Sequence, residues 1–450
     1  MSLSCTGLRR CRDTSAIPCA KCIWRRSGWT AERHRPLRHG CCGGRLAPGL
    51  PAHRDNEMKI REIRATPVNI PLRAPYRFSY GSTGSLTKTV IELMTEDGVT
   101  GLGECADGDR AADVGRMAQR LIGRDLRDIG PLARSCMQGM AYTPWDNVTA
   151  HRRVFAGIEM AMWDARARSE GVPLYALLGG AVRDEIPLTE YFSYRLPGRD
   201  EAGEDSPGAV ARYCARMVEE HDALIFEGKV GTVDLAEEVR MVAEVRAAIG
   251  ARPLQLDANG IWTLPTARQA LRALMPFDIA WFEEPCESYE EMFALRQHFA
   301  CSFSTHLVDL PKAVRLGCPD AIVTNINELG GIRGTLDFVA ACAAMGVAFR
   351  FHSGETGVGS AAYLHLSAAL DHIRGASQTL LRWYADDVIE GGPFVPKSGV
   401  LRLPEGPGLG VTLDRKALKR CHERYLAEGR FPAGASAPPG SAYGSTFRKR

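Results

Sequence analysis

Two acidic residues, Asp257 and Glu283, each end a short, largely apolar stretch of the sequence. Asp257 follows residues 254–256 and Glu283 follows residues 280–282, and the segment 263–274 between them carries leucine and alanine at helical spacing. The order is therefore strand, helix and strand, with a carboxylate at the C-terminal end of each strand. In a parallel α/β barrel these ends face the active site, so the two carboxylates would converge. Hard oxygen ligands at a barrel mouth predict a divalent cation such as magnesium.

Side chains that could move protons stand at other predicted strand ends. Glu227 and Lys229 lie two positions apart and therefore share one face of a strand. Asn259 follows the second strand, and His352 ends a later one at residues 347–352. A Lys and a His on opposite sides of a metal-bound carboxylate could transfer protons at both faces of its α-carbon. The metal would stabilise the resulting enediolate, because negative charge develops on the carboxylate oxygens when the proton leaves.

Each of these residues also has a structural interpretation. Lys229 could be a salt-bridge partner of Glu227, and His352 could be a hydrogen-bonding residue at a strand end. Asp257 could belong to ordinary turn chemistry, and Glu283 to a surface loop. Taken singly, each structural interpretation is favoured. Taken together at regular barrel spacing, they require four coincidences, and the pattern therefore favours chemistry.

The surrounding segments indicate two kinds of structure. Residues 58–105 have the alternating pattern of antiparallel strands, and residues 109–180 are mostly helical in pattern. The polar, glycine-containing stretch 73–85, which includes Tyr80, predicts either a lid or a long hairpin connection. The predicted strands of the first region are 60–71, 88–95 and 99–104.

From about residue 186 the sequence alternates between strand and helix patterns, which is typical of a parallel sheet. Asp234 and Gly250 would cap the two ends of one helix. Further predicted strands are 224–230, 302–305, 321–324 and 347–352. The sequence therefore predicts an α/β fold.

The composition is that of a soluble globular protein: of 450 residues, 45% are hydrophobic and 24% are charged. Charged residues interrupt every apolar run that approaches a membrane span in length, so no membrane partner is expected. Residues 1–57 carry 11 Lys or Arg against 4 Asp or Glu, which leaves a mildly acidic main body in a chain of net charge +3. That body has no basic footprint for nucleic acid. Its eight scattered cysteines are typical of reduced thiols, so we expect a cytoplasmic protein.

Residues 1–57 differ from the rest of the chain. They hold six of the 14 cysteines but lack the spacing of a zinc module and the continuous apolar core of a secretory signal. The first alternating strand begins at Met58, so we predict that Met58 is the true start and that residues 1–57 are disordered if made at all. Mass spectrometry of the native N-terminus would test this, and a mature protein that starts at Met1 would contradict it. Residues 431–450, rich in Gly, Ala, Ser and Pro, predict a disordered tail.

Several motifs follow one another along residues 58–430. They are 156–164 (AGIEMAMWD), 177–180 (LLGG), the stretches that end in Asp257 and Glu283, 330–331 (GG) and 352–357 (HSGETG). In this combination the chain resembles the mandelate racemase and muconate lactonizing enzyme group of the enolase superfamily. The last motif is most similar to acid-sugar dehydratases of the glucarate dehydratase type. The resemblance implies a modified TIM (β/α) barrel with an N-terminal α+β capping domain. We expect the cap at 58–185, the barrel at 186–388 and a segment that returns to the cap at 389–430.

The resemblance also implies a set of metal ligands. The first two family ligands match Asp257 and Glu283, and Asn259 occupies a position that commonly assists them. The third ligand is usually an acid or an Asn, and alignment with that strand places His306 there, with Asp309 as a nearby substitute. Imidazole is a softer ligand than Mg²⁺ prefers. We therefore expect Mg²⁺, with Mn²⁺ or another divalent metal as an admissible replacement.

Two positions depart from the family pattern. The family's Lys-x-Lys motif, whose second Lys is the base, reads as Glu227 and Lys229 around a glycine. A neighbouring carboxylate should raise the pKa of Lys229, whereas a neighbouring Lys would lower it. Asn325 stands where the family has an Asp paired with the catalytic His. Asn can orient the ring but supplies no charge, so His352 should be less basic than usual.

The predicted function is dehydration of a sugar acid to a 2-keto-3-deoxy acid by a lyase. Lys229 or His352 would remove the proton next to the carboxylate, and protonated His352 would assist departure of the neighbouring hydroxyl. Tyr80 and Glu355 are candidate substrate-binding residues. Racemisation or epimerisation on the same site is the nearest alternative, and a catalytically weak barrel that binds a metal or ligand is another. The expected partner is a small-molecule sugar acid, in a homo-oligomer by family analogy.

Overall fold

The computed structural model describes residues 57–137, 147–198, 201–352 and 354–431. The predicted leader up to residue 56 and the predicted tail from residue 432 lie outside the described residues. Within the described part of the chain, no helix is both long and apolar enough to cross a membrane. No disulfide bond joins any of the eight cysteines in this part of the chain.

The N-terminal region begins with a three-stranded antiparallel sheet in the order β1–β2–β3. Its strands are β1 Ile60–Phe78, β2 Gly81–Thr95 and β3 Thr100–Cys105. The stretch 73–85, predicted as a lid or a long hairpin connection, belongs to a hairpin: β1 and β2 continue through it, with a register shift between Pro71 and Tyr76, and they turn at Ser79 and Tyr80. Aromatic residues at alternate positions favour a paired strand over a loop. The hairpin alternative is therefore the one observed.

Four helices complete this region. They are α1 Ala111–Leu121, α2 Ile129–Met137, α3 Asn147–Ser169 and α4 Leu174–Leu177. Helix α3 lies directly against β3, because two glycines in the strand remove the side chains that would separate them. A Cβ at Gly103 would overlap the carbonyl oxygen of Gly157, and one at Gly101 would overlap that of Ala161. The glycines in β3 therefore set the distance between the sheet and its helix.

Seven parallel strands form the second sheet, arranged in chain order from β5 to β11. The strands are β5 Glu190–Phe192, β6 Phe226–Lys229, β7 Leu254–Asp257, β8 Ile279–Glu283, β9 Ser302–Thr305, β10 Ala321–Thr324 and β11 Ala348–Phe351. The helices are α5 Pro207–His221, α6 Leu235–Ile249, α7 Leu264–Leu274, α8 Tyr289–Arg296, α9 Leu310–Leu316, α10 Ile332–Met345 and α11 Gly357–Ala369. Short 3-10 turns occur at Met275–Phe277 and Leu381–Trp383.

A two-residue segment, Ser377 and Gln378, takes the place of an eighth strand. The backbone N–H of Gln378 donates to the carbonyl of Phe351 on β11 at 3.0 Å. The N–H of Thr189, just before β5, donates to the carbonyl of Ser377 at 3.0 Å. These bonds connect the last strand to the first. The predicted modified TIM barrel under an antiparallel cap sheet is confirmed.

The C-terminal segment runs back over both regions. Strand β12 Val400–Arg402 pairs with β4 Glu185–Pro187. Helix α12 Arg415–Glu428 then lies against β1, where His422 Nδ1 is 2.7 Å from the carbonyl oxygen of Pro67. The exact domain bounds given above stay predictions.

Candidate active site

Three neighbouring strands deliver three charged side chains to one level of the barrel. Lys229 on β6 is the register partner of Asp257 on β7, and Asp257 is the partner of Glu283 on β8. Each is the last residue of its strand. All three side chains are almost completely buried. The predicted convergence of the strand ends is therefore observed.

Asp257, Glu283 and His306 form a group that could hold a metal ion. One ligand atom from each residue lies within 4.8 Å of the other two. His306 Nε2 is 3.1 Å from a carboxylate oxygen of Glu283, and its Nδ1 is 2.8 Å from the carbonyl oxygen of Val323. Because a carbonyl only accepts, Nδ1 carries the hydrogen and Nε2 faces the carboxylates. This is the orientation that a metal-ligating imidazole needs.

Asn259 and Asp309 have different relations to this group. Asn259 supports Asp257 through its backbone N–H at 2.7 Å and its side-chain amide at 2.9 Å. Its Oδ1 is buried, with no hydrogen-bond partner among the described residues, so one oxygen acceptor remains available beside the cluster. Asp309, the alternative third ligand, instead caps α9 by accepting the N–H of Lys312 at 3.1 Å. The structure therefore brings His306 to the site rather than Asp309.

The charges around the group fit a divalent cation. Burial alone would lower the pKa of His306, but Glu283 and Glu284 raise it to about 10. The imidazole therefore carries the positive charge that balances these carboxylates. A metal bound by Asp257, Glu283 and His306 would supply that charge instead and free the Nε2 lone pair. Two oxygens and one imidazole nitrogen form a donor set that suits Mn²⁺ or Zn²⁺ as well as Mg²⁺.

Lys229 contacts Asp257 rather than Glu227. Its ammonium donates to a carboxylate oxygen of Asp257 and lies 5.3 Å from the ring centre of Tyr191. Burial alone would lower the pKa of Lys229, but Asp257 outweighs it and raises the pKa above its ordinary value. The pKa of Lys229 shifts in the predicted direction. Glu227 does interact with Lys229, but Asp257 is the main cause of the rise.

Glu227 lies beneath Lys229 inside the barrel, with partners that the sequence did not reveal. Arg350 donates to it at 3.1 Å, and Tyr191 does so at 3.2 Å. Gln378 also donates to the same carboxylate. Burial raises the pKa of Glu227 to about 7 although Arg350 opposes the shift. One feature of the sequence could have indicated that Arg350 lies inside the barrel: it stands two positions before His352 and therefore shares its face of the strand.

His352 faces the metal group from the far side of the barrel mouth. Its ring lies edge-on to that of His306, with 4.6 Å between the ring centres. Burial first, then the charges of His306 and Lys229, hold its pKa well below its usual value. The predicted direction is again observed, but Asn325 is not the visible cause. Its Oδ1 accepts the backbone N–H of Glu328 at 2.9 Å, and no hydrogen bond joins Asn325 to His352 among the described contacts.

A cavity of about 710 Å³ lies between the cap and the barrel mouth. Both regions line it, with Tyr80 and Lys88 from the cap and Lys229, His352 and Glu355 from the barrel. Tyr80 is 52% exposed at the hairpin turn. Burial raises the pKa of the Glu355 carboxyl to about 7. Lys88, which the sequence did not single out, is buried at the cavity wall and donates to the backbone carbonyl of Ala106 at 2.8 Å.

Comparison with known proteins agrees with this geometry. A probable glucarate dehydratase from Streptomyces coelicolor is 27% identical over 379 residues, which cover 75% of this chain and 85% of the relative. A chloromuconate cycloisomerase from Pseudomonas putida is 26% identical over 386 residues, which cover 80% of this chain and 98% of the relative. The solved structure of an enolase from Pseudomonas fluorescens with bound magnesium, potassium and tartrate has a TM-score of 0.76 at 25% identity, and the match covers 84% of this chain and 95% of that one.

Two family models account for most of the described chain. The N-terminal domain model of mandelate racemase and muconate lactonizing enzyme matches residues 60–179. The enolase C-terminal domain-like model matches residues 209–417. The first match covers the cap sheet and its helices, and the second covers the strands that carry the metal group and the proton-transfer candidates. The chain therefore belongs to the mandelate racemase and muconate lactonizing enzyme group of the enolase superfamily.

Proposed function

We propose that this protein is a divalent-metal-dependent dehydratase that converts a sugar acid into a 2-keto-3-deoxy acid. The observation that carries the proposal is that Lys229, His352 and His306, the last being one member of the metal donor group, line one large cavity. Such a cavity is large enough to hold a polyhydroxylated acid and is much larger than a two-carbon fragment needs. The relative named a probable glucarate dehydratase supports this reaction class, and the solved enolase with bound magnesium and tartrate shows an acid in a protein of this fold.

Asp257, Glu283 and His306 would hold the metal, with Asn259 supporting Asp257. When bound, the metal supplies positive charge next to the substrate carboxylate, which acidifies the neighbouring C–H. The protein supplies the rest. It buries the carboxylate ligands almost completely, which strengthens every electrostatic contact in the site.

Lys229 and His352 form the proposed acid–base pair. They line the cavity from different strands, so a bound acid would lie between them. One of them removes the proton from the carbon next to the carboxylate. The lowered pKa of His352 leaves its imidazole neutral before reaction. When His352 is the base, the imidazolium that it becomes gives this proton to the departing hydroxyl on the adjacent carbon, which leaves as water. The enol product tautomerises to the 2-keto acid without further help from the protein.

The cap and the last barrel loop would recognise the distal hydroxyl groups. Tyr80 reaches the cavity from the hairpin turn, and Lys88 and Glu355 also line it. Lys88 donates hydrogen bonds, whereas ionised Glu355 accepts them, so the two complement a chain of hydroxyls. The length and stereochemistry of the substrate would be selected here.

A screen for keto-acid formation tests the function. The purified full chain is incubated with a panel of mono- and dicarboxylic sugar acids, first with Mg²⁺ and then with Mn²⁺, and 2-keto products are detected by semicarbazide absorbance. We expect turnover of at least one sugar acid, and a loss of roughly 10²- to 10⁴-fold in Lys229→Met and His352→Asn. The matched control is Lys312→Met, since Lys312 pairs with Glu290 away from the cavity.

Three outcomes would count against the proposal. Inactivity towards the whole panel with both metals would contradict it. Exchange of the substrate's α-hydrogen for solvent deuterium without a keto product would favour a racemase or epimerase. Neither exchange nor product, together with unchanged ligand binding in Lys229→Met, would favour a binding barrel.

A further inference from the structure

A second layer of polar side chains lies directly beneath the candidate site. Four of its members lie on barrel strands two positions before a residue of the site and therefore face the same barrel interior. The pairs are Glu227 below Lys229, Gln255 below Asp257, Ser304 below His306 and Arg350 below His352. Gln378 joins this layer from the segment that closes the barrel. All five residues of the layer are less than 9% exposed.

Arg350 connects this layer to the metal group. Its Nη2 donates to Oε2 of Glu283 at 2.9 Å, and its Nη1 donates to Oε2 of Glu227 at 3.1 Å. Nη1 also donates to the side-chain oxygen of Gln255. One planar guanidinium therefore joins three strands from the opposite side of the barrel. A lysine could not make these contacts together, because its ammonium is a single point of charge.

The hydrogen bonds to Glu283 are divided between its two oxygens. Oε2 accepts from Arg350 at 2.9 Å and from the hydroxyl of Ser304 at 3.1 Å. Oε1 accepts from Gln378 at 2.8 Å and lies 3.1 Å from His306 Nε2. The contacts at Oε2 fix the plane of the carboxylate, and Oε1 is thereby directed towards the imidazole that completes the metal group.

We infer that Arg350, together with Gln378, is a positioning residue that holds Glu283 in the orientation a divalent cation requires, and that Glu227 holds Arg350 in place. This explains why a carboxylate stands two positions before Lys229. The positively charged partner of Glu227 is the guanidinium of Arg350, which lies across the barrel on β11. The role of Glu227 is to hold Arg350 in place rather than to act as a neighbour of Lys229. The inference concerns the metal group alone and does not depend on which sugar acid the protein uses.

A purely structural role for Arg350 makes a different prediction. If the arginine only neutralises the buried charge of Glu227, removing both charges together restores stability and metal affinity alike. If it positions Glu283, the double change restores stability but leaves metal affinity low. The pair of variants therefore separates the two roles.

The test measures Mg²⁺ and Mn²⁺ binding by isothermal titration calorimetry on the full chain without substrate, with Tm from circular dichroism in EDTA. We expect Arg350→Met to lower the Tm, and the double variant Glu227→Gln/Arg350→Met to recover most of that loss. Metal affinity of the double variant should stay roughly 10- to 100-fold below that of the unchanged protein. Gln378→Met, which changes no charge, should weaken binding roughly 2- to 10-fold.

The matched control is another ion pair of the barrel, between half-buried Arg382 and buried Glu190, whose Nε and carboxylate oxygen are 2.9 Å apart. The double variant Glu190→Gln/Arg382→Met should keep the metal affinity of the unchanged protein. Metal affinity within threefold of the unchanged protein in Glu227→Gln/Arg350→Met would overturn the inference. An equal loss of metal affinity in Glu190→Gln/Arg382→Met would also overturn it. Because no substrate is present, failure of the proposed dehydration would leave these measurements unaffected.

Discussion

Metal binding to this protein should release close to one proton at pH 8. In the metal-free state, burial lowers the pKa of His306, but Glu283 and Glu284 together raise it to about 10. The imidazole is therefore protonated at neutral pH. A cation needs the lone pair of Nε2, so it can bind only when that proton leaves. The carboxylate of Glu283 contributes no proton, because His306 and Arg350 outweigh its burial and hold its pKa well below the usual range.

The size of the pH effect follows from this shift. Each pH unit below a pKa of about 10 lowers the apparent metal affinity about tenfold, since one pKa unit corresponds to about 1.4 kcal/mol. Affinity should therefore rise about 100-fold between pH 7 and pH 9 and level off above pH 10. The sign is that of a cation competing with a proton: affinity increases with pH, and acid weakens it.

Calorimetry of Mg²⁺ binding in buffers of different ionisation enthalpy gives the number of protons released. We expect close to one at pH 8 in the unchanged protein. The variant His306→Asn lacks the titrating group, so it should release almost none and bind with an affinity that is nearly independent of pH. A pH-independent affinity in the unchanged protein, or equal proton release in both proteins, would refute the argument that His306 holds this charge.

Three further outcomes are expected. Mn²⁺ should bind the unchanged protein more tightly than Mg²⁺ does, and His306→Asn should reduce that preference. Metal titrations of both proteins would show this. Gly103→Ala should lower the free energy of unfolding by about 1–3 kcal/mol, measured in urea, because the added methyl group would overlap α3. The control is Gly115→Ala, in an exposed part of α1 with open space around it, which should not be destabilising. Burial raises the pKa of Glu159 to about 7, so this group stabilises the fold at low pH and the contribution is lost as pH rises from about 4.5 to 7. Between pH 5 and pH 8 the free energy of unfolding in urea should fall by up to about 3 kcal/mol less in Glu159→Gln than in the unchanged protein, and an equal fall in the two proteins would contradict this.

Local patterns were sufficient to predict several of the barrel elements. Strands β9 and β10 occur at the predicted positions. Helix α6 begins after Asp234, whose side chain accepts the N–H of Glu237, and ends at Gly250, which has a positive φ of 64°. These features depend on hydrogen bonds and backbone angles within a few residues, so the sequence alone specifies them.

The hairpin at residues 73–85 shows where local patterns were insufficient. Its polar and glycine residues predicted a lid and a long hairpin connection about equally, and not that both strands continue to the turn. Pairing with the opposite strand, such as Tyr76 with Thr83, satisfies the backbone groups and extends both strands to the turn. The position of Tyr80 at the cavity follows from that pairing.

The sequence by itself determined that Asp257, Glu283, Lys229 and His352 end strands of one parallel sheet. Their placement follows from strand period and chain order, and both are local properties. Only the tertiary structure decided which charges meet. Arg350 contacts Glu227 across 123 positions of the chain, and both residues reach the axis of the closed barrel from opposite sides. No local pattern encodes such a contact, because it depends on how far each strand is tilted and shifted against its neighbours when the barrel closes.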